Sequence, residues 1–153
     1  AIPDIQYINN TGNLGAASPS PVGSFTPVVF GTTVAGSITY GVGTQSGEYK
    51  IIDDYCFFSL SLNWTANSGG TGSMRVSGLP VARYADAAYT PAVTVGAESI
   101  TFPASCTTII GFVRSDGVIE LRGSGNGVSP TPVDMDSQAT GTLRISGAYK
   151  VAA

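Results

Sequence analysis

From residue 55 to residue 66, apolar and polar side chains alternate with few breaks. Cys56, Phe58, Leu60, Leu62, Trp64 and Ala66 fall on one parity, and Tyr55, Phe57, Ser59, Ser61, Asn63 and Thr65 on the other. Side chains along a strand point to its two faces in turn, so a period of two held this long predicts one half-buried strand. The run 47–52, with Tyr49 and Ile51, precedes it across Asp53-Asp54. A short polar connection between two such runs predicts an antiparallel hairpin. Shorter strands are predicted at 28–30, 38–40, 74–77, 92–95 and 100–102. A second hairpin joins 107–113 to 118–122 through Arg114-Ser115-Asp116-Gly117, where Asp-Gly supplies the positive-φ residue a turn needs. The last strand, 142–151, sets Leu143, Ile145, Gly147, Tyr149 and Val151 on one face.

Between these runs lie loops at 67–72, 83–91 and 123–139, the last carrying Pro130 and Pro132. Loops as long as 123–139 are usually functional or poorly ordered. Short strands separated by turns every ~8 to 12 residues predict an all-β sandwich or jelly roll. Residues 1–24 show no sustained period and carry Asn9-Asn10-Thr11-Gly12-Asn13 and Ser18-Pro19-Ser20-Pro21, so they read as an arm or linker leading into a domain at 25–153. Ile2, Ile5, Tyr7 and Ile8 are apolar for a free spacer and suit packing on a neighbouring subunit.

Composition sharpens this picture. With 14 Val and 11 Ile against 6 Leu and 2 Met, the aliphatic residues are the branched ones that favour pleated sheet. The 153 residues suit one domain. Charged residues make up 11%, against roughly 25% in an average soluble protein. The 20 Gly, 17 Ser and 16 Thr therefore supply most of the surface polarity. Seven Lys and Arg, scattered singly in a chain of net charge -3, form no stripe to neutralise phosphates and argue against nucleic-acid binding. No apolar run approaches the ~20 residues of a membrane helix, and no signal-peptide pattern is visible at the N-terminus.

The sequence has no histidine, which removes Ser-His-Asp and Cys-His chemistry and most zinc sites. Glycines 41, 43 and 47, and again 123, 125 and 127, miss the dinucleotide fingerprint and precede no helix, so no cofactor is expected. Cys56 and Cys106 are too few for a disulfide framework and fit no metal spacing; Cys56, on the apolar parity, is expected to be a free buried thiol.

Paired carboxylates are the catalytic chemistry left open, because glycosidases need two acids roughly 5 to 10 Å apart. Asp53 and Asp54 sit in a turn, Asp134 and Asp136 lie in the long loop, and Glu48, Glu98 and Glu120 stand singly. Asn9-Asn10-Thr11 and Asn63-Trp64-Thr65 fit the glycosylation acceptor pattern, but the second falls mid-strand. Aromatics are more informative, since sugar rings stack their C–H faces on exposed Tyr and Trp. Trp64 belongs to the core by parity. Tyr84 and Tyr89, beside Arg83 and Asp86 in the 83–91 loop, form a candidate saccharide-contacting cluster. Tyr55 and Phe57 share the polar face of a long strand and suggest a subunit interface.

The ordered set Phe25-Thr26-Pro27-Val28-Val29-Phe30-Gly31, Ile38-Thr39-Tyr40, Gly47-Glu48-Tyr49-Lys50, Tyr55-Cys56-Phe57-Phe58-Ser59-Leu60 and Met74-Arg75-Val76-Ser77-Gly78-Leu79-Pro80 resembles the C-terminal jelly-roll domain of bacteriophage tail fibres and tailspikes. The closing Thr142-Leu143-Arg144-Ile145-Ser146-Gly147-Ala148-Tyr149 is similar to that family's last strand. The resemblance spans about residues 25 to 151 and departs from the pattern in 83–93 and 123–139. It implies a homotrimeric antiparallel β-sandwich at the distal end of a phage adhesin, outside the cell on the virion tail tip, with two identical chains and a bacterial surface glycan as partners. It implies binding without catalysis. The competing expectations are a structural trimerisation cap and a carboxylate-based polysaccharide hydrolase or esterase.

Overall fold

The computed structural model describes residues 21–152, together with the backbone pairing of residues 7–8 and 14–15. The elements in chain order are β1 (Tyr7–Ile8), β2 (Leu14–Gly15), β3 (Val22–Phe25), β4 (Val28–Gly31), β5 (Ser37–Ile52), β6 (Tyr55–Ser68), β7 (Met74–Ser77), β8 (Ala92–Glu98), β9 (Thr108–Val113), β10 (Ile119–Gly125), β11 (Val128–Pro132), a 3-10 turn (Met135–Ser137) and β12 (Gly141–Lys150). The protein is all-β and antiparallel throughout, and β1 and β2 form a ladder of their own.

The remaining strands follow one path, β3-β5-β6-β12-β8-β9-β10-β7-β4, with β11 added to β10. That path folds over at β8. Thr94 to Glu98 pair with β12, whereas Ala92 and Val93 pair with β9, so one strand belongs to both layers of the sandwich. The first sheet contributes Cys56, Phe58, Leu60, Leu62, Trp64, Leu143, Ile145 and Tyr149 to the core; the second contributes Val29, Met74, Val76, Ile109, Val113, Ile119 and Leu121. All are buried. Every inward residue of β6 up to Trp64 comes from the apolar parity, which is why its alternation is legible in the sequence. Both cysteines are free, Cys56 in the core beside its cross-strand partner Tyr149.

Both predicted hairpins form. Ile52 pairs with Tyr55 around Asp53, whose φ of 52° is the left-handed conformation a tight turn demands, and Val113 pairs with Ile119 around Gly117 at φ 76°. Trp64 is buried in the core, as its parity predicts, and its indole N–H donates to the Gln138 carbonyl at 3.2 Å.

Elsewhere the structure departs from the sequence pattern. The runs at 38–40 and 47–52 are one strand, β5, interrupted where its register on β6 shifts between Tyr40 and Gln45. The shift bulges residues 41–44 outward, leaving Val42 fully exposed. Gly43 at φ 69° and the Thr44 hydroxyl, whose one proton lies within reach of the carbonyls of Gly41 (2.6 Å) and Asn63 (2.9 Å), hold the bulge. The expected 123–139 loop is largely ordered: β10 runs to Gly125, turns at Gly127 (φ 70°) and returns as β11. Pro130 and Pro132 are tolerated because β11 pairs on one side alone, where a missing N–H removes no second ladder.

The strand expected at 100–102 is absent, and a side chain takes its place. The Gln138 amide bonds both backbone groups of Thr101, accepting from its N–H at 2.8 Å and donating to its carbonyl at 2.9 Å. A glutamine thus closes the ladder that a neighbouring strand would otherwise supply. Finally, Val22–Phe25, which straddle the boundary drawn at residue 24, pair with β5 at the edge of the first sheet.

Candidate functional site

After β7 the chain turns at Gly78, whose φ of 98° few other residues adopt, and crosses toward the end of β12. It is stitched there by backbone bonds: Tyr84 N–H to Lys150 O at 2.8 Å and Ala152 N–H to Ala82 O at 2.9 Å, with Arg83 bridged to Val151. Arg83 is 3% exposed. Its guanidinium turns inward and donates to the carbonyls of Asp86, at 3.3 Å, and Tyr89, so it ties the 83–91 loop to itself. The same guanidinium carbon lies 5.4 Å from the centre of the Tyr89 ring.

The two tyrosines meet edge to face, with ring centres 6.5 Å apart and planes at 71°. Tyr89 is half-buried, and its hydroxyl accepts from Lys150 N–H at 2.8 Å. Tyr84 keeps 39% of its surface open, with the Lys150 ammonium 4.8 Å from its ring centre. Asp86 is exposed, and its Oδ1 accepts from Ala88 N–H at 2.9 Å. The four residues singled out in the sequence therefore form one cluster, but with divided work. Arg83 and Tyr89 fix the loop; Tyr84 and Asp86 face outward. Lys150 joins them unannounced, because it lies in a different strand and only the tertiary fold brings it over Tyr84.

Three of the remaining acids have partners close at hand, while Asp134 and Asp136 also line a shallow groove beside Ser73 and Pro132. Asp134 Oδ1 accepts from Asp136 N–H at the start of the 3-10 turn, Asp116 Oδ1 accepts from Val118 N–H, and Glu98 pairs with Arg144 at 2.7 Å. Among the described residues no group of three or more metal-ligating side chains comes together. Asn63 of the mid-strand acceptor triplet is committed to Thr142, donating to its hydroxyl at 2.7 Å. The other triplet, at 9–11, lies outside the described residues, as do Ile2 and Ile5 of the arm.

Glu120 is the exception to the picture of scattered acids. It sits on the outward face of the second sheet yet is 3% exposed, covered by three of the chain's five arginines. Arg122 Nε donates at 2.6 Å, Arg114 Nη1 bonds the other oxygen, and Arg75 Nη2 stands 3.9 Å away while its Nη1 reaches Asp116 at 3.5 Å. Burial alone would push the Glu120 carboxyl up, but the Arg122 hydrogen bond and the charges of Arg114 and Arg122 outweigh it and hold the group below the usual glutamate range. Beside it runs a groove of about 260 Å³ lined by Thr90, Phe112, Arg114, Glu120, Arg122 and Pro130. Sequence spacing places only Glu120 and Arg122 on one face of β10; Arg75 on β7 and Arg114 in the β9–β10 turn are brought in by the fold.

Fold and clusters together define a two-layered antiparallel sandwich with one aromatic loop at its end and one arginine-lined groove on its flank. The sequence matches no known family model and no curated protein. Among solved structures the fold is similar to that of the Dettilon tailspike protein (gp208), with a TM-score of 0.67 and 16% sequence identity over 87% of this chain. The match covers 24% of the tailspike's length, so the chain corresponds to about a quarter of it.

Proposed function

We propose that this chain is a receptor-binding part of a phage tail protein, located on the virion tail, that holds a bacterial surface saccharide without breaking its bonds. The Tyr84–Tyr89 pair carries the reading: an edge-to-face aromatic shelf, open at Tyr84, on a loop held in place by a buried arginine. Preordering matters here, because sugar sites are shallow and gain little if the loop must first be immobilised. The likeness to a tailspike supports the phage setting. Binding rather than hydrolysis is favoured by the state of the acids. Glu120, the most enclosed of them, is held ionised by arginines and so is a poor general acid, and Asp86 beside the tyrosines spends one oxygen on the Ala88 N–H.

A homotrimer fits the exposed apolar side chains on one end of the first sheet. Val22, Ile52, Tyr55 and Phe57 are 67%, 42%, 44% and 46% exposed, and cross-strand pairing brings them together through Val22–Lys50–Phe57 and Ile52–Tyr55. Such a patch is what a neighbouring subunit would cover. Three weak sites on one assembly then supply avidity. The same patch is also what a purely structural trimerisation cap would carry, which is the second reading.

Two measurements test this. Light scattering after gel filtration should give about three times 15.6 kDa, stable on dilution; a monomer removes the trimer. Saturable binding to host-matched glycans, reduced about tenfold or more in Tyr84→Ala, supports the adhesin. No binding by an intact trimer leaves the cap.

A further inference from the structure

We propose that the groove over Glu120 is a subsite for an anionic group carried on a saccharide, a sugar carboxylate or phosphate, held by Arg114 and Arg122 against Phe112. This rests on the saccharide-binding reading above and narrows it to acidic polymers.

Phe30, Arg75, Glu120, Phe112 and Ala92 are successive cross-strand partners, one row across β4, β7, β10, β9 and β8. An acid in such an outward row could be solvated; this one is roofed by guanidiniums. Glu120 uses little of what they offer. A guanidinium has five N–H donors in a planar fork. Among the described residues Arg122 donates through Nε alone, and Arg114 through Nη1 alone, both to Glu120. Both side chains line the groove, with 35% of the Arg122 side chain and 42% of the Arg114 side chain open.

Two guanidiniums on one carboxylate leave the groove positive in a chain whose net charge is -3. Glu120 holds both side chains in position without occupying them, so a second carboxylate or a phosphate would meet prepositioned forks. Phe112 and Pro130 give the groove apolar walls for the ring bearing the charge, and Thr90 adds a hydroxyl. Thr90 follows Tyr89 directly in the chain, so the loop that carries the aromatic pair also contributes to the groove. A cation is excluded by sign. A nucleic acid would need many neutralised phosphates, and seven scattered basic residues do not supply them.

The test uses isothermal titration of the whole chain with three probes: a glucuronate oligosaccharide, its neutral glucose counterpart and a glucose phosphate. At least one acidic probe should bind about tenfold or more tighter than the neutral one and weaken with added salt. Which acidic probe binds distinguishes carboxylate from phosphate. Arg114→Gln and Arg122→Gln should each lose about tenfold or more for that probe and leave the neutral probe unchanged, with Arg122→Lys recovering only part because it keeps the charge and loses the fork. Equal binding of acidic and neutral probes overturns the proposal. So does acidic binding indifferent to both Arg→Gln changes in variants that melt like the wild type. Tyr84→Ala separates the two claims. If it leaves every probe unaffected while the arginine variants lose the acidic one, the aromatic reading fails and the groove stands; the reverse pattern refutes the groove alone.

Discussion

Gln138 is buried to 1% exposure, and its side-chain amide makes three hydrogen bonds: two with the Thr101 backbone and one donated to the Asp134 carbonyl at 3.0 Å. Replacing it with leucine keeps the volume and removes all three. Each such bond is worth about 1 kcal/mol net, but Thr101 and Asp134 are exposed and recover part of their bonding from water. Gln138→Leu should therefore destabilise by about 2 kcal/mol. For a chain of this size that is about 4–8 °C in melting temperature. Denaturant unfolding gives the global figure. Hydrogen exchange gives the local one: the Thr101 amide should lose protection while amides of the β6–β12 ladder at Leu62 and Leu143 change only by the global difference. If Gln138→Leu melts within about 1 °C of the wild type and Thr101 keeps its protection, the amide is not the strand substitute described above.

Three further outcomes are expected. A thiol reagent should modify Cys106 in the native protein and reach Cys56 only on unfolding, since Cys56 is fully buried and its thiol is pushed up by burial; rapid labelling of both would contradict the core placement. Stability should fall on acidification. The Glu120 pKa is lowered on folding, so the unfolded state binds the extra proton; the contribution is complete above the ordinary glutamate value of ~4.3 and lost as pH drops through it toward the folded value. Glu120→Gln should flatten that limb of the stability profile. Gly141→Ala would set a methyl 2.4 Å from Trp64 Cζ2 and 2.5 Å from Ile100 Cδ1, and overpacking of this kind costs about 1–3 kcal/mol in denaturant unfolding.

How far the sequence speaks depends on where the deciding interaction lies. The β5–β6 hairpin, the β9–β10 hairpin and the core role of Trp64 follow from period and turn chemistry, which are local. The 100–102 strand failed because its pairing partner is the side chain of Gln138, 37 residues along the chain. In 123–139 two prolines signal a break in the pattern, whereas an edge strand pairing on one side accommodates them. The Arg83 to Tyr89 cluster was legible in outline, since its members are neighbours in sequence. Its division of work was not, because the burial of Arg83 depends on docking against the end of β12. Of the Glu120 assembly, spacing shows only that Glu120 and Arg122 share a face of one strand; Arg75 on the neighbouring strand and Arg114 in the turn join them through tertiary pairing.

Pro21 and Val151 flank the same turn. The Pro21 carbonyl accepts from Ile51 N–H and Val151 N–H donates to the Asp54 carbonyl, both at 2.8 Å, on either side of Asp53-Asp54. β3 and β12 stand three strand spacings apart, roughly 14 Å. The body of the sandwich is thus hung from one side, as a bulb from its socket, and a tug on residues 21 and 151 together would be felt first at that turn. A linker of a few glycines and serines could join the two points.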